Sequence, residues 1–369
     1  MSEEAISAGV MVPPDWNRAT TTLVPALTWG TECVLLPEEV IGASAVVLVV
    51  LDSLGWHMLE ERPEISPILT SLSGGAATTV APSTTAAALT SISTGLPPGE
   101  HGIVGYRFPV GGAVMNALRW TTVTGDHRGV VSPSGVQTAP AMAGGPWTVV
   151  SGRQFVQSGF TEAHLGDVPY VGYEHPSSIV AEVRGLLDAG EQRVYAYYDG
   201  LDHVAHIHGV SGRHLDLELA FCDWLVGRLI DAVPAGTAVV VTADHGQIDA
   251  PTLRPIDNSV LALTTELSGE PRFRWLHAQA GATNDLVDAA TATHGHEAWV
   301  RTADELIESG WFGPRVSSAA RDRLGDVALL ARAPLGFDDP AERHADRLVG
   351  RHGSVTAEEM MVPVLWTLA

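Results

Sequence analysis

The chain has 369 residues, of which 45% are hydrophobic, so it can bury a large core, either as one α/β domain or as a core with an inserted subdomain. Its 21 basic residues are all arginine and the formal net charge is −22, which argues against a nucleic-acid polymer as partner but allows a small phosphorylated substrate held by local cations. The two cysteines, Cys33 and Cys222, lie far apart and exclude both a disulfide framework and a CxxC site.

The N-terminal stretch MSEEAISAGVMVPPDW is acidic and lacks the basic and apolar regions of a secretory signal. The longest apolar runs have the length of strands, far short of the roughly 20 residues that a membrane-spanning helix needs. We therefore expect a cytoplasmic protein with no membrane partner. The sequence does not specify an oligomeric state.

Apolar runs of strand length alternate with amphipathic stretches, which is typical of a parallel sheet with helices on both faces. Strands are predicted at residues 45–52, 193–199, 237–246, 326–333 and 362–369, and helices at 84–94, 176–190 and 213–232. Residues 108–150 are rich in Gly, Pro, Val and Thr and predict hairpins or a long loop.

A second unusual region, residues 255–325, combines short strand and helix patterns. It predicts a small α+β lid inserted between core strands. The expected architecture is a three-layer α/β/α core with a mostly parallel sheet, formed by residues 1–254 and 326–369, with the lid at 255–325.

Three of the predicted strands end in acidic or imidazole side chains. Asp52 follows AVVLVVL, Asp202 and His206 follow VYAYYDGL, and Asp244 and His245 follow AVVVTA. In open α/β sheets ligands bind at the carboxyl ends of strands, and acids combined with histidines suit Zn²⁺ or a similar divalent ion. Each motif alone is equally typical of a helix cap or a surface pair, but their recurrence predicts a metal site.

Hydroxyl side chains precede an Ala-rich helical segment in VAPSTTAAALTSISTG. A hydroxyl at a helix N-terminus is favourably placed to become an anion or to meet one, because the positive end of the helix dipole lies there. Taken alone, STT is more simply explained as an N-cap. Thr84 and Thr85 are the candidate nucleophiles.

In this order the motifs resemble the alkaline phosphatase superfamily, in particular its type I phosphodiesterase and nucleotide pyrophosphatase branch. The matching segments are Asp52, PSTT, TGLPPGEHGIVGY, DHVAHIHG (202–209), DHG (244–246) and RHGSVTAEEMMVPVL (351–365). They cover most of the chain outside the predicted lid, and as an ordered set they are specific.

The resemblance implies two divalent metal ions, with zinc favoured. One ion would be held by Asp202, His206 and His352. The other would be held by Asp52, Asp244, His245 and the Thr85 oxygen. The same resemblance makes Thr85 the nucleophile, with Thr84 as the nearby competitor.

Two of the predicted metal-ligand positions have alternatives elsewhere in the sequence. Asp199 and His203 have the same spacing as the Asp202 pair, but only the latter is followed by Gly209 as the family pattern requires. For the last ligand, the histidines of THGHEAW at 294 and 296 compete with His352. His352 is preferred because it leads into the final apolar strand.

The chain departs from the family where an Asn is expected to bind the phosphoryl oxygen, since Tyr106 occupies that position. A phenol donates one hydrogen bond, and Arg107, Asn116 or Arg119 could supply more. A structural or solvated role for these arginines is equally consistent with the sequence.

The expected function is a two-metal hydrolase of phosphoric esters that forms a phospho-threonine intermediate on a nucleotide or phosphodiester substrate. The alternatives are a phosphomonoesterase or phosphonoacetate-type hydrolase with the same site, or a non-catalytic metal- or ligand-binding module. Sulfatases fit less well because no CxPxR segment is present, and cofactor-independent phosphoglycerate mutases because there is no Lys. Alkaline phosphatases proper would need an Arg beside the nucleophile, which STTAAA lacks.

Overall fold

The computed structural model describes residues 10–342 and 347–369. Within these ranges the strands are β1 (Ala45–Leu51), β2 (Ser73–Thr78), β3 (Arg107–Val110), β4 (Ala113–Asn116), β5 (Thr121–Thr122), β6 (Gly125–Asp126), β7 (Thr148–Gly152), β8 (Tyr170–Tyr173), β9 (Arg193–Tyr198), β10 (Thr237–Thr242), β11 (Ile248–Asp249), β12 (Thr252–Arg254), β13 (Thr264–Glu270), β14 (Phe273–Ala278), β15 (Ala298–Thr302), β16 (Val327–Ala331), β17 (Leu335–Phe337), β18 (Gly350–Arg351) and β19 (Met361–Leu368).

The α-helices are α1 (Leu23–Trp29), α2 (Glu38–Ile41), α3 (Trp56–Glu60), α4 (Pro67–Ser71), α5 (Thr85–Thr94), α6 (Pro98–His101), α7 (Pro133–Val136), α8 (Gly159–Leu165), α9 (Ile179–Asp188), α10 (Gly200–His208), α11 (Arg213–Ala232), α12 (Asn258–Leu261), α13 (Thr283–His294), α14 (Ala303–Glu308), α15 (Ser318–Arg321) and α16 (Ala357–Met360). Short 3₁₀ turns occur at Thr20–Thr22, Ala141–Gly144, Arg153–Phe155 and Pro176–Ser178. No helix in the described ranges combines the length and apolar character required to cross a bilayer, and the cytoplasmic location stays a prediction.

A seven-stranded sheet in the order β2-β19-β10-β1-β9-β7-β8 forms the centre of the molecule. The strands from β10 to β8 are parallel, whereas β19 runs antiparallel to both β10 and β2. Every residue from Val46 to Leu51 is buried, because β1 lies in the middle of a sheet that is covered on both faces. The predicted three-layer core with a mostly parallel sheet is confirmed.

Most predicted elements form close to their expected bounds. The four strand predictions in the central sheet correspond to β1, β9, β10 and β19, and the three helix predictions to α5, α9 and α11. The largest shift is at β10, which ends at Thr242, four residues before the predicted end of the strand. Helix α9 begins three residues late, at Ile179, because a 3₁₀ turn precedes it. Between residues 107 and 126 the chain forms antiparallel strands rather than a long loop, since β3 to β6 pair in sequence.

A smaller antiparallel sheet, in the order β13-β14-β16-β15, is built from the region in which a lid is predicted. It extends to Ala331, because the strand predicted at 326–333 pairs with β14 and β15 rather than with the central sheet. A short continuous apolar run indicates a doubly buried strand but does not identify its neighbours. The division of the chain into a core and an inserted lid stays a prediction.

Strand β16 contributes to two hydrophobic cores. Val327, Leu329 and Ala331 pack in a cluster local to the smaller sheet. The alternating residues Ala328 and Leu330 belong instead to the main core. Since successive side chains of a strand point to opposite faces, this strand connects the smaller sheet to the rest of the molecule.

Candidate metal centre

The strand-end acids lie along one edge of the central sheet. Asp52 follows β1 and Asp244 lies just beyond β10, while α10, which carries Asp202, begins shortly after β9. These three strands are neighbours and run parallel, so their carboxyl ends meet at the same edge. Residues far apart in the sequence are thereby brought to one site.

Asp202, His206 and His352 form one group of potential metal ligands, with donor atoms all within 4.8 Å of one another. The Asp202 Oδ1 atom lies 3.4 Å from His206 Nε2 and 3.8 Å from His352 Nε2. Both residues of the first pair lie on α10, one helical turn apart. Such a cluster of one carboxylate and two imidazoles suits a zinc ion.

Asp52, Asp202 and His245 form a second such group, so Asp202 belongs to both. His245 Nε2 lies 3.5 Å from Asp52 Oδ1 and 3.4 Å from Asp244 Oδ2. Asp244 therefore also adjoins this group. The position of Asp202 between the two groups is a feature that the sequence did not indicate.

The three histidines are oriented through their Nδ1 atoms. Each Nδ1–H donates to a backbone carbonyl, which leaves Nε2 with a lone pair directed at the carboxylates. The bonds run from His206 to Gly350 at 2.8 Å, from His245 to Gly246 at 3.1 Å and from His352 to Ser83 at 2.9 Å. Gln247 Nε2 also lies 3.0 Å from His206 Nδ1. The Gly350 carbonyl is closer to this nitrogen and can only accept a hydrogen bond, so His206 Nδ1 is the donor.

At this centre, the carboxylates of Asp52 and Asp244 each have one oxygen held by hydrogen bonds and one without a partner in the described residues. The Tyr197 hydroxyl donates to Asp52 Oδ2, and the backbone N–H groups of Ser53 and His245 donate to Asp244 Oδ1 at 3.2 and 3.0 Å. Asp52 Oδ1, Asp244 Oδ2 and Asp202 Oδ1 are buried and have no hydrogen-bond partner among residues 10–342 and 347–369.

The electrostatics of these acids favour a bound cation. Burial raises the pKa of Asp52, Asp202 and Asp244, and for Asp52 the neighbouring carboxylates raise it further. Burial likewise lowers the pKa of His245 and holds that of His352 well below its usual range, so both imidazoles are neutral. Unpartnered carboxylate oxygens beside neutral imidazole nitrogens are a donor set that divalent cations satisfy, and the residues present fit such an ion.

Thr85 adjoins this centre from the N-terminus of α5. It is the first helical residue and is partly exposed, whereas Thr84 before it is buried at the N-cap position. The Thr85 Oγ1 atom lies 3.1 Å from His245 Nε2. Of the two candidate hydroxyls, Thr85 is the one that has a contact with a candidate ligand.

Two cavities meet at Thr85 and Asp202, which line both. The aromatic cavity, of about 200 Å³, is lined by five aromatic residues and several hydroxyls. The aromatic residues are Phe155, Phe160, Tyr170, Tyr195 and Tyr197. The polar cavity, of about 260 Å³, is lined by Tyr106, Arg119, His206, Glu270 and His352 among others.

Only some of the candidate phosphate-binding residues lie at the cavities beside Thr85. Tyr106 and Arg119 line the polar cavity, and Arg119 is exposed. Arg107 and Asn116 line neither cavity. The buried Arg107 guanidinium is paired with Asp339, and Asn116 Oδ1 accepts a hydrogen bond from the Arg119 backbone at 3.0 Å.

The competing histidines lie elsewhere. His294 accepts a hydrogen bond from the Asp257 backbone at 3.1 Å within the smaller sheet's region, and His296 is exposed. Asp199 and His203 line the aromatic cavity but belong to neither ligand group.

Two residues at the site were not identified from the sequence. Tyr197 holds Asp52 through a hydrogen bond, and the signal that could have shown it is its place near the end of a strand beside the ligand-bearing one. Glu270 lines the polar cavity from the end of β13. It lies in no recognisable motif, so the sequence carried no signal for it.

The sequence model of the family described as type I phosphodiesterase / nucleotide pyrophosphatase matches residues 46–354. Among solved structures, murine ectonucleotide pyrophosphatase/phosphodiesterase 5 is similar, with a TM-score of 0.66 at 17% identity over 87% of each chain. An inactive variant of that murine protein in complex with AMP gives a TM-score of 0.65 at 17% identity, also over 87% of each chain. Phosphonoacetate hydrolase from Sinorhizobium meliloti in complex with phosphonoformate gives 0.65 at 18% identity, over 88% of this chain and 90% of that chain. A comparison with curated proteins gave no match.

Proposed function

Because this chain belongs to the type I phosphodiesterase / nucleotide pyrophosphatase family, as its motifs predicted, we propose that it is a metal-dependent hydrolase of phosphoric esters. The proposed substrate is a small phosphodiester or nucleotide pyrophosphate, and the proposed nucleophile is Thr85. The observation that carries the proposal is the 3.1 Å contact of Thr85 Oγ1 with His245 Nε2, beside carboxylate oxygens that have no hydrogen-bond partner in the described ranges.

The two ligand sets expected from the sequence are retained in this proposal. Asp202, His206 and His352 would hold one divalent ion, and Asp52, Asp244 and His245 the other, with zinc favoured by the mixture of oxygen and nitrogen donors. When bound, such ions lower the pKa of a hydroxyl and stabilise the negative charge that develops on a transferred phosphoryl group.

The chain's own residues supply the nucleophile and its placement. Thr85 Oγ1 forms a bond to phosphorus as the bond to the leaving oxygen breaks, and the hydroxyl proton ends on the departing group, an alcohol from a diester or a phosphate from a pyrophosphate. A water oxygen then forms a bond to phosphorus as the bond from phosphorus to Thr85 Oγ1 breaks, and one proton of the water returns to the threonine oxygen. Since Thr85 is at the first position of α5, the N-terminal end of the helix dipole stabilises the anion during both steps.

The aromatic cavity supports an organic group on the substrate. Most of its wall surface is apolar, and Thr85 is one of the lining residues. A base, alkyl or aryl group attached to the phosphoryl centre would therefore be removed from water in this cavity. The similar murine protein has been described with AMP and the bacterial hydrolase with phosphonoacetate, both of which combine a small organic part with a phosphorus group.

A substrate panel with and without metal tests the proposal. The protein is stripped with a chelator, reconstituted with Zn²⁺, and assayed side by side on bis-p-nitrophenyl phosphate, p-nitrophenyl phosphate and phosphonoacetate. We expect turnover that requires the metal and is fastest on the diester. A preference for the monoester or for phosphonoacetate would assign the same site to one of those reactions, and binding of metal without any turnover would favour a non-catalytic module.

A further inference from the structure

Glu270 brings a carboxyl group from the smaller sheet to the candidate active site. It is the last residue of β13, beside the turn into β14, and it is 3% exposed. It lines the polar cavity together with Thr85, Tyr106 and His352. A phosphoryl group attacked by Thr85 would therefore occupy a cavity whose wall includes this buried acid.

The two oxygens of Glu270 differ in their partners. Oε1 accepts a hydrogen bond from the backbone N–H of Tyr106 at 2.6 Å. Oε2 is buried and has no hydrogen-bond partner in the part of the chain that the structure describes. The chain at Gly105 closes over the carboxyl, since a Cβ atom there would lie 3.0 Å from Oε1 and 3.3 Å from Oε2.

No cation neutralises this carboxyl within the part of the chain that the structure describes. The neighbouring guanidinium groups each have another carboxylate as partner. These pairs are Arg272 with Glu359 at 2.7 Å, Arg274 with Glu342 at 2.9 Å, and Arg107 with Asp339. Burial raises the pKa of Glu270 to about 8, and the negative charge of Glu342 adds to the rise. The hydrogen bond from the Tyr106 N–H and the charge of Arg274 lower the pKa, but by less than burial raises it.

The remaining charged and titratable groups around the cavity do not change this conclusion. The phenol of Tyr106 and the neutral imidazole of His352 line the cavity, as do Asp202, His206, Arg119 and Arg351. In the described residues the Arg119 guanidinium forms no ion pair with Glu270, and the Asp202 carboxylate has the same charge as an ionised Glu270. A phosphoryl anion in the cavity would favour the protonated carboxyl further, because two negative charges in contact repel. At neutral pH the Glu270 carboxyl is therefore a hydrogen-bond donor.

We propose that Glu270 is a substrate-binding residue that donates a hydrogen bond from Oε2 to a phosphoryl oxygen. The family resemblance leads one to expect an Asn side chain as this donor, at the position that Tyr106 occupies. Tyr106 instead holds Glu270 through its backbone N–H, so the Glu270 carboxyl takes the place of the Asn amide. The inference rests on the proposed function, since it assumes that a phosphoryl group occupies the polar cavity.

Binding of inorganic phosphate to the zinc-loaded protein tests this role independently of turnover. Titration calorimetry is carried out between pH 6.5 and 9.5 on the wild type, Glu270→Gln, Glu270→Ala and the control Glu266→Gln, which changes an exposed acid on the same strand. Gln keeps the acceptor for Tyr106 and places an amide donor at Oε2 that does not titrate. Thermal unfolding of each variant shows whether it is folded, since Ala leaves the Tyr106 N–H without its acceptor.

We expect Glu270→Ala to bind phosphate about 10- to 100-fold more weakly than wild type at pH 7, and Glu270→Gln to bind within a few-fold of wild type. Above pH 8 the wild-type affinity is expected to fall relative to Glu270→Gln by about tenfold per pH unit, because the carboxyl then loses its proton. Glu266→Gln should follow the wild type at every pH.

Several results would overturn the assignment. These are equal phosphate affinity and pH dependence in all four proteins, a loss in Glu270→Gln as large as that in Glu270→Ala, or no phosphate binding by the wild type. Failure of the proposed function has a different signature. In that case the wild type shows no metal-dependent turnover of any phosphoester, whereas the phosphate titrations still report on Glu270.

Discussion

His245 contacts Thr85 with one ring nitrogen and the backbone with the other. Its Nε2 atom lies 3.1 Å from Thr85 Oγ1, and its Nδ1–H donates to the Gly246 carbonyl at 3.1 Å. The backbone bond determines which nitrogen keeps a lone pair, so the orientation of the imidazole and the place of the hydroxyl are linked. A nucleophile that depends on such a contact is sensitive to the loss of its hydroxyl but tolerant of a smaller side chain.

Substitution of Thr85 separates the hydroxyl from the rest of the side chain. Thr85→Ala removes the proposed nucleophile and should lower kcat by about three orders of magnitude or more, whereas Thr85→Ser keeps the hydroxyl and should retain activity within about a hundredfold. Steady-state rates on the best substrate of the panel measure both. Thr94→Ala, at the other end of the same helix, is the control, and undiminished turnover in Thr85→Ala would disprove the assignment.

Substitution of Asp202 should affect both metal ions, because this residue belongs to both ligand groups. We expect Asp202→Asn to reduce the bound zinc from two equivalents to fewer than one after dialysis, measured by atomic emission. Asp52→Asn should release one equivalent only. Asp199→Asn serves as the control, since Asp199 lies three residues earlier and belongs to neither group. Loss of metal in the control alone would show that Asp199 and His203, rather than Asp202 and His206, are the ligands.

Removal of the Tyr197 hydroxyl should weaken metal binding without removing any ligand. The hydroxyl donates to Asp52 Oδ2, and partners of this kind orient a ligating carboxylate. We expect Tyr197→Phe to lower zinc affinity about 10- to 100-fold in competition with a chromogenic chelator. Tyr195→Phe on the same strand should leave the affinity unchanged, because the Tyr195 hydroxyl has no hydrogen-bond partner among the described residues. Equal affinities for wild type and Tyr197→Phe would show that this hydrogen bond does not position Asp52.

His101 should make the fold sensitive to acid. It is buried, with Nδ1 accepting from the Ile103 backbone at 3.1 Å and Nε2 donating to Ser91 Oγ at 2.8 Å, and burial lowers its pKa to about 3. Below pH 6.5 the unfolded chain binds a proton at this side chain and the folded chain does not, so the free energy of unfolding falls by about 1.4 kcal/mol per pH unit from this residue.

Urea unfolding of the metal-free protein at pH 7.5, 5.5 and 4.5 measures this effect. His101→Gln is expected to be less stable than wild type at pH 7.5 but to lose less stability as the pH falls. His296→Gln, which changes an exposed histidine, should keep the wild-type slope. Parallel pH profiles for wild type and His101→Gln would contradict the linkage.

The parts of the site that the sequence predicted are those in which local pattern and position in the sheet coincide. An apolar strand that stops at Asp52 or Asp244 marks the carboxyl edge of the sheet, so convergence follows from the parallel pairing. Glu270 could not be predicted, because its role depends on the hairpin tip meeting Tyr106, 164 residues away in sequence. The pairing of Arg107 with Asp339 depends on a contact across 232 residues.

The position of β16 illustrates the same limit at the level of the fold. Its apolar run has the composition of a strand in the central sheet, and periodicity cannot indicate which neighbours it pairs with. The structure places it between β14 and β15. Hydrogen-bond partners across a sheet are set by tertiary packing, which becomes visible only once the surrounding chain is folded.

The alternating packing of β16 also limits how the polar cavity can admit a substrate. Ala328 and Leu330 belong to the main core, whereas the alternating residues of β16 belong to the cluster local to the smaller sheet. An outward rotation of the smaller sheet would therefore break the apolar contacts on one face of β16 and keep those on the other. A rigid rotation of the whole sheet would therefore expose apolar side chains that are buried in the main core. For the same reason, excision of residues 255–331 would leave a hole in the main core instead of a minimal enzyme.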